Sequence, residues 1–181
     1  GGRPDVRIYK ATGQLLRQFY THTTLFLGGV DVASLAAVGG QPAYIIVSPL
    51  RGGGPDVRVF QANTKLVNGF FAYDSKFRGG VRVGTRQTAD GSIREIVTVP
   101  AGSGRAHVRR FNLDGSLRDE SFEYERWWTG GFDVAGNADN IYVVTGPGVR
   151  RVSLRTIDDS IQIDPGDDSG FDFGAHSGDN N

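Results

Sequence analysis

The chain has 181 residues, 20 acidic and 20 basic side chains, 27 glycines and no cysteine. The absence of cysteine excludes disulfides and thiolate metal sites, and no stretch approaches the roughly 20 apolar residues of a membrane-spanning helix. Apolar residues make up 38% of the chain, which is compatible with one folded core rather than a disordered polypeptide.

The predicted elements recur every 51 residues along the chain. Pro-Asp-Val-Arg at 4–7 returns at 55–58, and a Gly-Gly pair followed by alternating apolar residues occurs at 28–32, 79–83 and 130–134. The apolar residues with the same spacing are Tyr9, Phe60 and Phe111; Leu15, Leu66 and Leu117; Tyr20, Phe71 and Phe122; and Phe26, Phe77 and Trp128. A fixed period is typical of stacked repeat architectures, and these apolar positions predict a shared core pattern.

Each copy contains four short runs that are predicted to be strands. In the second copy they cover 56–60, 65–72, 80–84 and 94–99, separated by turn-forming residues such as Asp90-Gly91. Valine alternates with arginine in the first and third runs, which is the period of two expected for a strand with one buried face. Four strands per unit is the content of one propeller blade. The predicted fold is therefore an all-β propeller built from four-stranded blades of about 51 residues.

The repeats divide the chain into five segments. Residues 1–50, 51–101 and 102–146 are predicted to be three blades and 147–163 a partial or degenerate fourth. Residues 164–181 are predicted to be an acidic tail, which is expected to be flexible. Charge is distributed unevenly among them. Residues 1–155 contain all 20 basic side chains and 13 of the acidic ones, whereas the last 26 residues contain seven aspartates and no base. A basic body and an acidic end are expected to attract each other, within one chain or between chains.

Two parts of the second copy resemble a known family. Gly-Gly-Pro-Asp-Val-Arg-Val-Phe at 53–60 and Phe-Phe-Ala-Tyr-Asp-Ser-Lys-Phe-Arg-Gly-Gly-Val-Arg-Val at 70–83 resemble the repeats of bacterial FG-GAP/VCBS-like β-propeller proteins. The resemblance extends over about residues 1–155. It implies a β-propeller belonging to a secreted or cell-surface polypeptide, and it implies no particular activity, because propellers host many functions.

No cofactor is expected. Repeats of that family often have an Asp-rich loop before the last strand, where closely spaced carboxylates can bind calcium. The corresponding loops here, at 36–41, 86–91 and 137–140, contain one carboxylate or none. Calcium sites are therefore not carried over from the family. Weak calcium binding by the tail aspartates stays open as an alternative, although they lack a defined loop pattern.

Catalytic chemistry is not indicated by the remaining motifs. His22, His107 and His176 lie far apart, and none has the spacing of a metal-ligand pair. Glu123 and Glu125 alternate with aromatic residues, which indicates a solvated strand face rather than a pair of catalytic acids. We therefore expect a chain that is not an enzyme.

Four residues are candidates for binding a partner. Arg7, Arg58 and Arg109 occupy the same position in successive copies, where they either bind anionic glycans, phosphates or acidic protein segments or form exposed cross-strand pairs. Trp127 stands where the other copies have Leu25 and Lys76, so it is expected to be exposed as a binding hot spot or to cover a neighbouring blade. Nucleic acid is not expected, because no basic and aromatic stacking arrangement is present.

The number of blades favours a role in assembly. Propellers usually close with four to eight blades, so the missing surface must come from the degenerate fourth blade, from more of the same polypeptide or from neighbouring subunits. The chain also has no methionine, which indicates a processed or excised portion of something longer.

The main hypothesis is a noncatalytic extracellular, periplasmic or cell-surface β-propeller portion that mediates protein or glycan contacts, including adhesion and assembly. The alternatives are the propeller portion of a secreted carbohydrate-active enzyme with its catalytic residues elsewhere, and a structural subunit of a larger complex or filament.

Overall fold

A computed structural model describes residues 2–124 and 129–145, and the backbone of 154–157. These residues form antiparallel β-sheets and contain no helix, which confirms the predicted all-β class. Accordingly, the described part of the chain offers no helix that could cross a membrane.

The strands form four sheets that follow one another along the chain. The first sheet contains β1 (Asp5–Tyr9) and β2 (Leu15–Tyr20). The second contains β3 (Val30–Leu35), β4 (Tyr44–Pro49), β5 (Asp56–Gln61) and β6 (Leu66–Phe71), paired in that order. The third contains β7 (Val81–Gln87), β8 (Arg94–Pro100), β9 (Ala106–Phe111) and β10 (Leu117–Glu123), and the fourth contains β11 (Phe132–Gly136), β12 (Ile141–Thr145) and β13 (Leu154–Ile157).

The sheets are offset by half a repeat from the copies seen in the sequence. β5 and β6 begin the second copy, but they belong to the same sheet as β3 and β4 of the first copy, where β5 pairs with β4. β9 and β10 likewise complete a sheet that β7 and β8 began. Each 51-residue copy therefore supplies the last two strands of one sheet and the first two of the next. The predicted segment boundaries after residues 50 and 101 consequently lie within sheets.

Three apolar clusters hold neighbouring sheets together. Val6 packs with Val47 and Phe60 between the first and second sheets. The cluster between the second and third sheets contains Leu35, Ile46, Val57, Val59, Ala72, Val81, Val83, Ile96 and Phe111. The cluster between the third and fourth sheets contains Val97, Val99, Ala106, Val108, Phe132, Val134, Ile141 and Val143. Among the described residues, no such cluster joins the fourth sheet to the first, so the sheets form a row.

The Gly-Gly repeat lies where neighbouring sheets approach most closely, at their first strands. β7 contacts both β3 and β11. The second glycine of the pair has positive φ, +77° at Gly80 and +94° at Gly131, which glycine adopts at no steric cost. A Cβ at Gly80 would also collide with the backbone of Leu50 and Arg51, and one at Gly131 with the carbonyl of Ala101. These glycines are therefore required both by the turn and by the contact between sheets.

The prediction that all repeated apolar positions belong to the core is wrong for the outermost strands. The leucines that begin β2, β6 and β10 are about half exposed, and so are the aromatic residues Tyr20, Phe71 and Phe122 near their ends. The first strand of the third sheet, β7, contacts the first strands β3 and β11 of the neighbouring sheets. In contrast, β2, β6 and β10 are the last strands of their sheets, and no described strand lies beyond them. Their side chains are therefore covered on one side at most.

Some predicted features lie outside the described residues. The partial fourth repeat at 147–163 is described only over the backbone of β13, which pairs antiparallel with β12. Trp127 and the acidic segment 164–181 are not among the described residues.

Candidate functional site: the repeated arginines

Arg7, Arg58 and Arg109 lie at the same place in β1, β5 and β9. On β5, Val57 and Val59 belong to the cluster with the third sheet, whereas Phe60 belongs to the cluster with the first sheet. Because side chains alternate along a strand, Arg58 also faces the preceding sheet. The repeat puts each of the three arginines on the same side of its own sheet.

Arg58 connects the second sheet to the first. Its Nη1 donates a 2.6 Å hydrogen bond to the carbonyl oxygen of Thr21, the residue that follows β2. Its Nε and Nη2 lie 2.9 and 2.8 Å from Asp56 Oδ2, which holds the guanidinium in place. Bonds between charged donors and carbonyl or carboxylate oxygens are stronger than neutral ones. Arg58 is therefore used inside the chain, as a contact between sheets.

Arg109 makes the same contact one repeat later. Its Nη1 donates a 2.8 Å hydrogen bond to the carbonyl of Ala72, which follows β6 as Thr21 follows β2. Glu120 replaces aspartate as its carboxylate partner, with Oε2 at 2.7 Å from both Nε and Nη2. The hydrogen bond from Arg109 is the main cause that lowers the pKa of the Glu120 carboxyl.

His107 stands at the position of Asp56 and lies against this arginine. Its Nε2 is 3.0 Å from Glu120 Oε2, and its ring stacks on Phe122 with centroids 4.2 Å apart. Burial, and then the charge of Arg109, lower the pKa of the imidazole against the opposing effect of Glu120. The arrangement is typical of a polar contact between strands and supplies no nucleophile.

Arg7 has the same local geometry but no preceding sheet among the described residues. Its Nε and Nη2 lie 3.1 and 3.0 Å from Asp5 Oδ2, and Gln18 donates to the same oxygen at 2.9 Å. The Tyr9 hydroxyl and then Asp5 raise the pKa of Arg7, so its guanidinium remains charged. The side chain of Arg7 is 51% exposed, compared with 33% for Arg58 and 25% for Arg109.

The aromatic residue two positions after each arginine shows the same pattern: it is buried where a preceding sheet covers it and exposed where none is described. Phe60 contacts Phe19 of the first sheet at 5.1 Å between ring centroids, and Phe111 contacts Phe70 of the second sheet at 4.8 Å. These contacts leave Phe60 and Phe111 only 5% and 3% exposed. Tyr9, at the equivalent position in β1, is 51% exposed.

The first sheet therefore has an uncovered face and a free edge. The uncovered face comprises Asp5, Arg7 and Tyr9 of β1 with Gln18 and Tyr20 of β2, whose register pairs Arg7 with Gln18 and Asp5 with Tyr20. β5 and β9 have a strand on each side, whereas β1 pairs only with β2 within the described chain. Unpaired edges and exposed aromatic faces are typical of surfaces that receive another strand or sheet.

The structure describes three of the four candidate binding residues, Arg7, Arg58 and Arg109. Arg58 and Arg109 each donate to a backbone carbonyl of the preceding sheet, whereas Arg7 pairs with Asp5 of its own strand. Binding of a glycan or a phosphate by these arginines stays a prediction. Sequence reasoning missed Tyr9, although its alignment with Phe60 and Phe111 was a usable signal. The described residues contain no group of three His, Asp or Glu side chains arranged to bind a metal ion.

Comparisons with known proteins identify no relative of this chain. No family model, no curated protein and no solved structure matches it.

Proposed function

We propose that the chain is a noncatalytic assembly module whose uncovered face binds the fourth sheet of a second copy. The observation that carries this proposal is the repeated contact of Arg58 with Thr21 and of Arg109 with Ala72. In both contacts, the face of a sheet that carries the arginine packs against the sheet that precedes it in the chain. Arg7 and Tyr9 present the same groups without a preceding sheet in the described chain.

The second copy is favoured because the two ends of the row are complementary. In the two contacts made by Arg58 and Arg109, the arginine-bearing side of one sheet meets the opposite side of the previous one. Within the described part of the chain, the two sides left over are the uncovered face of the first sheet and the far side of the fourth. On that far side, β12 presents Tyr142 and Val144, because Ile141 and Val143 pack towards the third sheet. A contact between unlike surfaces continues into a ring or a filament of copies.

The resemblance to secreted and cell-surface repeat proteins supports placing this assembly outside the cytoplasm, at the cell surface or in the periplasm. Assembly would complete the propeller-like packing that the sequence repeat predicts, with sheets from neighbouring subunits in place of further blades. Turnover of a polysaccharide or ester by the pure chain, lost on substitution of one acidic side chain, would instead assign it to the enzymes.

The proposal is tested by light scattering after size exclusion at two protein concentrations. A single chain has a mass of 19.5 kDa, and we expect a larger species whose share rises with concentration. Arg7→Ala removes a charged hydrogen-bond donor and should weaken association about tenfold or more. The matched control is Arg17→Ala, which removes an exposed arginine of β2 that pairs with Ile8 on the other side of the sheet.

Two results would contradict the proposal. One is a 19.5 kDa species at every concentration. The other is an equal effect of Arg7→Ala and Arg17→Ala, which would mean that association depends on total charge rather than on the uncovered face.

A further inference from the structure

An open pocket of about 500 Å³ lies at the outer edge of the second sheet, across β5 and β6. Its lining consists of Asp56, Arg58, Leu66, Gly69, Phe70 and Phe71. The strand register pairs Asp56 with Phe71 and Arg58 with Gly69, so these residues share the face that carries the repeated arginine. The volume falls in the range of about 300–1,000 Å³ that is usual for small-molecule sites.

Two glycines make room at this place, where the other two copies have long polar side chains. The side chains of those copies are Gln18 and Glu120 at the position of Gly69, and Arg3 and Arg105 at the position of Gly54. Neither glycine has positive φ, so the backbone does not require glycine at either position. Beyond the neighbouring residues in the chain, a Cβ on Gly69 would meet its nearest atoms at 3.8 Å and one on Gly54 at 3.9 Å, which is ordinary van der Waals contact. Neither turn geometry nor packing therefore explains these two glycines.

The third sheet shows which groups pack against the aromatic ring at this place. Phe122 is the counterpart of Phe71 there. The imidazole of His107 stacks on Phe122 with ring centroids 4.2 Å apart, and the guanidinium carbon of Arg105 lies 4.3 Å from the centroid of the same ring. The second sheet has an aspartate and a glycine in place of these two side chains, and no ring or cation of the described residues stacks on Phe71. The second sheet therefore offers to an outside molecule the aromatic surface that the third sheet covers with its own side chains.

The polar groups beside Phe71 form an ion pair. Arg58 Nε and Nη2 lie 2.9 and 2.8 Å from Asp56 Oδ2, so the two charges offset each other. Both side chains remain partly accessible, with 24% of Asp56 and 33% of Arg58 exposed. A carboxylate accepts hydrogen bonds and a guanidinium donates them. The pocket therefore offers a neutral molecule both an acceptor and donors, whereas a charged ligand would find no unpaired charge of opposite sign among the lining residues.

A sugar ring fits this combination of groups. Its hydroxyls donate to a carboxylate and accept from a guanidinium, and its C–H face packs against an aromatic ring. We propose that the pocket binds a neutral hexose unit of a polysaccharide, with the sugar ring against Phe71 and its hydroxyls hydrogen-bonded to Asp56 and Arg58. Gly69 and Gly54 leave the space that the sugar occupies.

This binding function is separate from the self-association proposed above. The pocket lies on the second sheet, whereas the uncovered face belongs to the first. Arg58 also holds the second sheet to the first through the carbonyl of Thr21, so its substitution would disturb the fold as well as the pocket. The experiment therefore changes Phe71 and Gly69, which lie on the outermost strand of the second sheet.

The test is electrophoresis of the full chain through native gels that contain a β-glucan, a mannan or a xylan, at a concentration where the chain has a single mass. We expect at least one of these polysaccharides to slow the parent chain. Phe71→Ala should raise the apparent Kd about tenfold or more, because it removes the stacking surface. Gly69→Glu, which introduces the residue of the third sheet, should abolish the retardation. The matched control is Phe122→Ala, which removes the equivalent ring one repeat later and should leave binding unchanged.

Unretarded migration of the parent chain in all three gels would overturn the proposal, and so would equal effects of Phe71→Ala and Phe122→Ala. Retardation only in gels that contain polygalacturonate, an acidic polysaccharide, would also overturn it, because charge would then govern recognition. Thermal unfolding checks that the variants are folded. Phe71 is 59% exposed, so Phe71→Ala should keep the midpoint within about 3 °C of the parent chain and decides the question even if Gly69→Glu is unstable.

Discussion

Glu95→Ala removes a fully buried carboxylate whose oxygens lie 3.4 Å from Arg86, 3.8 Å from Arg110 and 3.4 Å from Arg118. Arg86 and Arg110 then lose a partner while remaining mostly enclosed between the third and fourth sheets. Breaking a buried ion pair from one side costs about 3–5 kcal/mol, a large part of the 5–15 kcal/mol that usually separates folded from unfolded proteins. For a chain of this size, the corresponding loss in unfolding midpoint is about 6–20 °C.

The decisive comparison is with an apolar replacement of these ion pairs. Arg86→Leu, Glu95→Tyr and Arg110→Val together recreate the layer present in the preceding interface, and such replacements are often neutral or stabilising by about 1–4 kcal/mol. Urea and thermal unfolding, followed by circular dichroism, measure both variants beside Asp119→Ala, which affects an exposed pair and should cost about 1 kcal/mol or less. A triple variant as unstable as Glu95→Ala, or a neutral Glu95→Ala, would refute the reasoning.

Two further predictions concern backbone packing and pH. Gly80→Ala should destabilise the chain more than Gly13→Ala, because both glycines have positive φ but only Gly80 faces the backbone of Leu50; equal unfolding midpoints of the two variants would argue against a tight contact there. The folded state lowers the pKa of His107 below its ordinary 6.5, so the unfolded chain binds the proton more readily and stability should fall as the pH drops below that value. His107→Gln should flatten this loss in urea midpoints measured between about pH 7 and pH 5.5, and an unchanged slope would assign it to other groups.

The alternation of valine with polar residues was sufficient to predict strands, because a half-buried strand requires it. The repeat predicted the length of the structural unit but not the strand at which each sheet begins. A 51-residue unit can begin at any of its four strands, and only hydrogen bonding decides that β5 joins β4 rather than starting a new sheet. Boundaries drawn from the sequence therefore separate strands that belong together.

The candidate site was harder to predict from the sequence, because the groups that accept the hydrogen bonds of Arg58 and Arg109 belong to the backbone. Recurrence singled out Arg7, Arg58 and Arg109. The acceptors of Arg58 and Arg109 in the preceding sheets are carbonyl groups, which every residue has, so nothing in the identities of Thr21 and Ala72 marks them. The exposure of Phe71 could not be foreseen either, because alternation shows which face a side chain is on and not whether a neighbour covers it. The ion pair of Glu95 with Arg110, by contrast, has a signal in the repeat, where these residues replace Tyr44 and Val59.

The half-repeat offset of the sheets determines how such a chain can change in length. Removing one whole repeat, residues 51–101, would join the end of β4 to the start of β9 and leave β3, β4, β9 and β10 to form a sheet with all four places filled. The deletion would leave the boundaries between the remaining sheets intact, because the new junction lies between the second and third strands of one sheet. The number of sheets in a chain of this kind can therefore change without leaving any sheet incomplete. Such a chain gains or loses one whole sheet and one interface at a time.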